Sequence, residues 1–151
     1  MPVDVQTQIT IHRPRGEVAA YAADPDNATA WYEKIKSIEW ETERPLAAGS
    51  KIAFVAQFLG RRLSYTYEII DLAPGDHIVM RTANGPFPME TIYTWQDTAD
   101  GDTQMTLRNR GEPSGFSRVM APMLGAAMRR ANRKDLARLK RILEQQRLRS
   151  N

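Results

Sequence analysis

Two periodicities divide the chain. From Val3 onward apolar and polar residues alternate with period two, the mark of half-buried strands. From Phe116 to Leu148 the apolar positions instead recur every three or four residues: Phe116, Met120, Met123, Leu124, Ala127, Met128, Ala131, Leu136, Leu139, Ile142 and Leu143. That spacing is one face of a long helix.

The strand region breaks at turn signals. Val3, Val5, Thr7, Ile9 and Ile11 form a first strand that Arg13-Pro14 ends. Val18, Tyr21 and Ala22 give a short amphipathic helix, and Asp24-Pro25-Asp26-Asn27 breaks it and caps a second through Trp31 and Tyr32. Six further strands follow, carried by 35–42, 52–58, 63–69, 78–82, 91–95 and 105–109. Pro45 to Gly49, Leu59-Gly60-Arg61, Pro74-Gly75-Asp76, Asn84 to Pro88 and Asp100-Gly101 separate them. Pro122 lies inside the helical pattern, so the helix should restart or kink there.

The expected fold is α+β and occupies residues 1–151 as one domain. A curved antiparallel seven-stranded sheet wraps a long C-terminal helix, with two short helices after the first strand. A helix is ~10 Å wide with its side chains, so it cannot fill the concave side of such a sheet. An internal cavity is expected, and a ligand-sized one should exceed ~300 Å³.

Composition narrows the class. Hydrophobic residues make up 42% and charged residues 26%, ordinary for a soluble globular protein. The absence of cysteine removes disulfides and thiolate chemistry, and fits a reducing cytoplasm. Met-Pro-Val-Asp-Val at the N-terminus has no basic region leading into an apolar stretch, so no signal peptide is expected. The net charge of +3 is uneven. Residues 113–151 hold ten basic against two acidic side chains, a net +8, and the rest eleven against sixteen, a net −5. This is either a solvated helix back over an acidic body or a patch for transient contact with anionic membrane. Nucleic acid is not expected, because no stacking aromatics are interleaved with the arginines.

Local motifs carry a family resemblance. Ile11-His12-Arg13-Pro14, Glu17-Val18 and Asp24-Pro25 resemble the opening of the polyketide cyclase/dehydrase branch of the START and pollen-allergen-like (SRPBCC) superfamily. Tyr67-Glu68-Ile69 with Asp71-Leu72-Ala73-Pro74, Ile78 and Arg81 resembles its central hairpin. Gly115-Phe116, Met120-Ala121-Pro122, Asp135-Leu136 and Leu139-Lys140 resemble its terminal helix. The resemblance covers essentially the whole chain and implies the helix-grip fold. It implies a range of roles, including aromatases and cyclases, lipid and quinone carriers and hormone receptors.

Alternation assigns the inward residues. Tyr65, Tyr67, Met80, Tyr93, Trp95 and Asn109 fall on the apolar face of the strands, and Met120, Leu124 and Met128 on that of the helix. At 100° per residue from Met120, Asp135 falls at about 60°, between Ala131 at about 20° and Leu139 at about 100°. Two readings of these polar groups stand. Either the tyrosine hydroxyls reach water at the sheet rim while Asp135 pairs with Arg138, or they line an apolar pocket that binds a lipid-, polyketide- or aromatic-like molecule. Phe87 and Pro122 would form its gate. Asp135 could act as acid or base in an aromatase/cyclase or dehydratase, although cyclases of the family place arginine, histidine or acidic groups there, whereas this chain offers Asp135 and tyrosines. His12 and His77 fall on the outward face. No metal site or cofactor is expected, because cysteine and paired histidines are lacking. An exposed sheet edge or the projecting helix end could support a homodimer.

Overall fold

The computed structural model describes residues 3–58, 60–85, 88–111 and 121–149. Strand β1 (Val3–Ile11) is followed by α1 (Arg15–Ala23), a 3-10 turn (Pro25–Asn27) and α2 (Ala28–Trp31). Then come β2 (Ile35–Trp40), β3 (Lys51–Phe58), β4 (Arg61–Ala73), β5 (His77–Asn84), β6 (Met89–Asp97), β7 (Thr103–Gly111) and α3 (Ala121–Arg149). The strands form one seven-stranded sheet in the order β1-β7-β6-β5-β4-β3-β2, and each neighbouring pair is antiparallel. With the long helix held against this curved sheet, the chain has the helix-grip fold.

The alternation in the sequence becomes the two faces of the sheet. In β1, Val3, Val5, Thr7 and Ile11 are buried while Asp4, Gln6, Gln8 and Thr10 are exposed. Strand β4 departs from strict alternation. Register shifts occur at Thr66/Tyr67 and between Ile69 and Asp71, so Ile70 and Asp71 are both exposed before Leu72 turns back inward. At the turn after β4, Gly75 has φ of 80°, which an L side chain rarely adopts.

Helix α3 lies along β1. Val3 and Val5 pack with Leu124 and Met128. At the other end, Lys140 Nζ donates to the Thr10 carbonyl at 2.8 Å and Arg13 Nη1 to the Leu143 carbonyl at 2.6 Å. The two elements run parallel with matched reach, since 20 helical residues and nine strand residues each advance ~30 Å. Leu136, Leu139 and Leu143 are 2% exposed or less and join the core of α1, α2 and the concave sheet face. Each such leucine contributes about 1.5–3 kcal/mol by burial. Pro122 is the second residue of α3, and residues 112–120, which include the start of the expected helix, lie outside the described residues.

Candidate functional site

The concave face of β3 to β7, the α2–β2 corner and α3 line a cavity of about 150 Å³. Its walls are mainly apolar. Ile52, Phe54 and Ala56 of β3, Met80 of β5 and Leu124, Met128 and Ala131 of α3 contribute to the lining. Aromatic rings take up much of the remaining space. Phe54 stacks on Tyr65 with centroids 5.5 Å apart, and Tyr67 meets both rings edge-on. Trp31 and Tyr32, 4.1 Å apart, fill the α2 side. This is why the cavity is smaller than the ~300 Å³ expected for a ligand pocket from the width of a helix alone. Helix width accounts for the gap between elements but not for the five rings that fill it.

The polar groups on the wall are paired in short chains. Tyr67 Oη and Thr91 Oγ1 are 2.7 Å apart, and Thr91 donates to Asn109 Oδ1 at 2.6 Å. Threonine has one hydroxyl proton, so Thr91 must accept from Tyr67. Asn109 keeps its amide N–H groups without a partner among the described residues. Tyr32 Oη and Tyr93 Oη lie 2.5 Å apart. One proton serves that contact and the other is uncommitted. Tyr65 Oη has no hydrogen-bond partner among the described residues. Asn132 Nδ2 and Trp31 Nε1, in the same wall, are buried and unpartnered among those residues. The wall therefore holds several hydrogen-bond donors that have no partner among the described residues.

Asp135 is the buried carboxyl group of the wall, 3% exposed; the lining also includes Asp24. Its Oδ1 accepts the Glu33 backbone N–H at 3.1 Å, tying α3 to the α2–β2 corner. Burial pushes its pKa from 3.8 up to about 6, against the lowering effect of that hydrogen bond and of Arg138 and Lys34. Arg138 acts on Asp135 through its charge; the bonded partner is Glu33. Burial also raises the tyrosines: Tyr67 to about 12, and Tyr32, Tyr65 and Tyr93 further above their ordinary value. At neutral pH the hydroxyls are neutral donors, while Asp135 can exchange a proton near pH 6.

Of the residues assigned from sequence, Tyr65, Tyr67, Met80, Tyr93, Asn109, Leu124, Met128 and Asp135 line this cavity together. Trp95 does not. It is on the concave face, as alternation requires, but two residues beyond Tyr93 and thus ~7 Å further along β6. There it lies beneath α1, beside Ala19 and Ala23. Met120 and Phe87 lie outside the described residues, as does the side chain of Pro122. Sequence reasoning missed Trp31, Tyr32, Thr91 and Asn132. Thr91 shares its face with Tyr93, and Asn132 lies one helical turn before Asp135 and Leu136, so both were within reach of the same pattern. The four residues of α2 are too few to show a period, which hid Trp31 and Tyr32.

The histidines are remote from the cavity. His12 Nδ1 contacts Asp102 Oδ2 at 3.0 Å, and His77 is held between Asp76 and Asp71 at 2.6 and 2.7 Å. No group of three or more His, Asp or Glu side chains among the described residues is arranged so that it could hold a metal ion, and no helix among them is long and apolar enough to cross a membrane.

Comparison with known proteins agrees with this architecture. A family model described as polyketide cyclase/dehydrase and lipid transport matches residues 2–144. No curated protein matches the sequence. A START superfamily protein from Mycobacterium smegmatis superposes with a TM-score of 0.81 at 14% identity, over 95% of this chain and 98% of that one. The Zhui aromatase/cyclase from a Streptomyces species gives 0.79 at 19% identity, over 95% and 94%. A protein from Thermus thermophilus gives 0.79 at 17% identity, over 91% and 94%. At these identities the likeness is one of fold.

Proposed function

Because the chain belongs to the polyketide cyclase/dehydrase and lipid transport family, we propose that it binds a small hydrophobic molecule, about one ring in size and bearing a hydrogen-bond acceptor, between sheet and α3. The observation that carries this reading is an apolar cavity of about 150 Å³ whose wall holds unspent donors at Tyr65, Asn109 and the Tyr32–Tyr93 pair. A cavity of roughly this volume accommodates one benzene-sized ring. A carbonyl or phenolic oxygen on that ring would accept from the free hydroxyls, and each such bond contributes about 0.5–1.5 kcal/mol. Lipid-like or multi-ring ligands would need the rings of Phe54 and Tyr65 to move aside.

Thermal unfolding with a panel of substituted phenols and aryl ketones tests the reading. A ligand at ten times its Kd stabilises the fold by about 1.4 kcal/mol. Ala131→Met, which places a longer side chain in the cavity wall, should abolish that stabilisation. A panel without effect, or an effect that survives Ala131→Met, would count against the site.

A second reading rests on Asp135, the buried carboxyl with a pKa of about 6. In an aromatase/cyclase or dehydratase it would move a proton on a bound ring or chain, with Tyr65, Tyr67 or Tyr93 holding the substrate oxygen. Asp135→Asn should then remove turnover while leaving binding intact. Unchanged turnover would exclude Asp135 as the acid or base.

A further inference from the structure

The charged residues are distributed differently on the body of the protein and on α3. On the body, six of the eleven basic residues, Arg13, Arg15, Arg44, Arg81, Arg108 and Arg110, each form an ion pair with an aspartate or glutamate. On α3, Lys140 pairs with Glu144. Arg129, Arg130, Arg133, Lys134, Arg138 and Arg141 make no ion pair with any described residue. Five of these six are exposed and Arg138 is half-buried. At 100° per residue Arg130, Arg133, Lys134 and Arg141 fall on the side of the helix away from Leu124, Leu136, Leu139 and Leu143, along ~17 Å of axis, and Arg129 and Arg138 flank that side at its two borders. The face is therefore a block of uncompensated positive charge on a rigid element.

The same face carries an apolar group. Met123 is 65% exposed, the most exposed large apolar side chain among the described residues. It lies in line with Arg130, Lys134, Ala137 and Arg141, within a stripe about 60° wide. A cationic face with an apolar side chain in the same stripe matches a surface of anionic headgroups over hydrocarbon. A nucleic acid would instead call for stacking groups, and no aromatic residue occurs from 121 to 149.

We propose that the solvent face of α3 docks the protein on anionic membrane through Arg130, Arg133, Lys134 and Arg141, with Met123 entering the headgroup layer. Another face of the same helix, about 120° round from that stripe and carrying Leu124, Met128, Ala131 and Asp135, lines the cavity. Docking would thus bring the cavity to about one helix diameter, ~10 Å, from the lipid surface. The charge on this face does not depend on what the cavity holds.

Vesicle sedimentation of the full chain tests this. Phosphatidylcholine vesicles with and without phosphatidylserine are compared at about 0.1 and 0.5 M salt, where screening lengths fall from about 10 Å to under half of that. The protein should bind vesicles containing phosphatidylserine, bind neutral ones at least tenfold more weakly, and release at high salt. Arg130→Glu with Lys134→Glu should reduce binding roughly tenfold or more, at about fivefold per cation before the added repulsion. Arg62→Glu, an exposed change on the sheet, should leave it unaltered, and circular dichroism checks that each variant is folded. Equal binding to neutral vesicles, no binding at low salt, or full binding by the double variant would overturn the proposal. So would tighter binding to a mixed-sequence RNA oligonucleotide than to vesicles at the same salt.

Discussion

Replacing Asp135 by asparagine isolates the cost of holding a carboxylate inside this protein. Asp135 is 3% exposed, and its Oδ1 accepts from Glu33 N–H, a bond that an asparagine Oδ1 can also make. The sign of the effect follows from its raised pKa. Between 3.8 and about 6 the folded state binds a proton more tightly than the unfolded chain. Its stabilising contribution is therefore fully present below 3.8 and is lost as pH rises through about 6. The gap between these two values corresponds to about 3 kcal/mol. Asparagine stays neutral throughout and escapes that loss. Any constant offset that the amide introduces is the same at every pH, so the informative quantity is a difference of differences. Thermal unfolding of both proteins near pH 4 and near pH 7.5 gives it. About 2.4 kcal/mol of that loss separates pH 4 from pH 7.5, so the Tm of Asp135→Asn relative to the parent should rise by roughly 5–10 °C between the two, at about 2–4 °C per kcal/mol for a chain of this size. Parallel pH profiles would refute the reasoning, because they would mean that Asp135 is solvated in the folded protein.

Three further outcomes follow from the packing. A Cβ on Gly85 would stand 2.9 Å from Tyr65 Cβ, so Gly85→Ala should shift the cavity wall and lower stability by about 1–3 kcal/mol in urea unfolding. Leu139 is fully buried, and Leu139→Ala should cost about 2–5 kcal/mol with an unchanged urea m-value. His77 has a pKa raised first by its bond to Asp76 and then by that to Asp71, so its contribution is present below its ordinary value and lost as pH rises through the raised one. His77→Gln should therefore lower Tm more near pH 5.5 than near pH 9, and an equal loss at both would contradict that pairing.

The fold was legible because its strands alternate cleanly and the apolar stripe of α3 is long. The position of Asp135 on that stripe was legible for the same reason, since 100° per residue is a geometric constant. Three things were not. The length of β6 put Trp95 on the right face but beyond the cavity, a matter of distance along the strand that alternation does not encode. Tyr32, whose hydroxyl meets Tyr93, sits just after a four-residue helix, where no period can develop. The volume of the cavity depends on how Phe54, Tyr65, Tyr67, Trp31 and Tyr32 lean on one another, and that is set by packing between elements far apart in sequence. Outward pairing of the histidines hid a further detail, since Asp71 is brought to His77 by the irregular register between Ile69 and Asp71.

Methionine methyl NMR during titration with a substituted phenol tests the central claim most directly. Met80, Met89 and Met128 line the cavity, Met105 is fully buried away from it and Met123 is exposed to solvent. If the cavity takes a single ring, the first three methyl signals shift with saturation while those of Met105 and Met123 stay in place. No saturable shift across a panel of such rings, or shifts confined to Met123, would contradict the account.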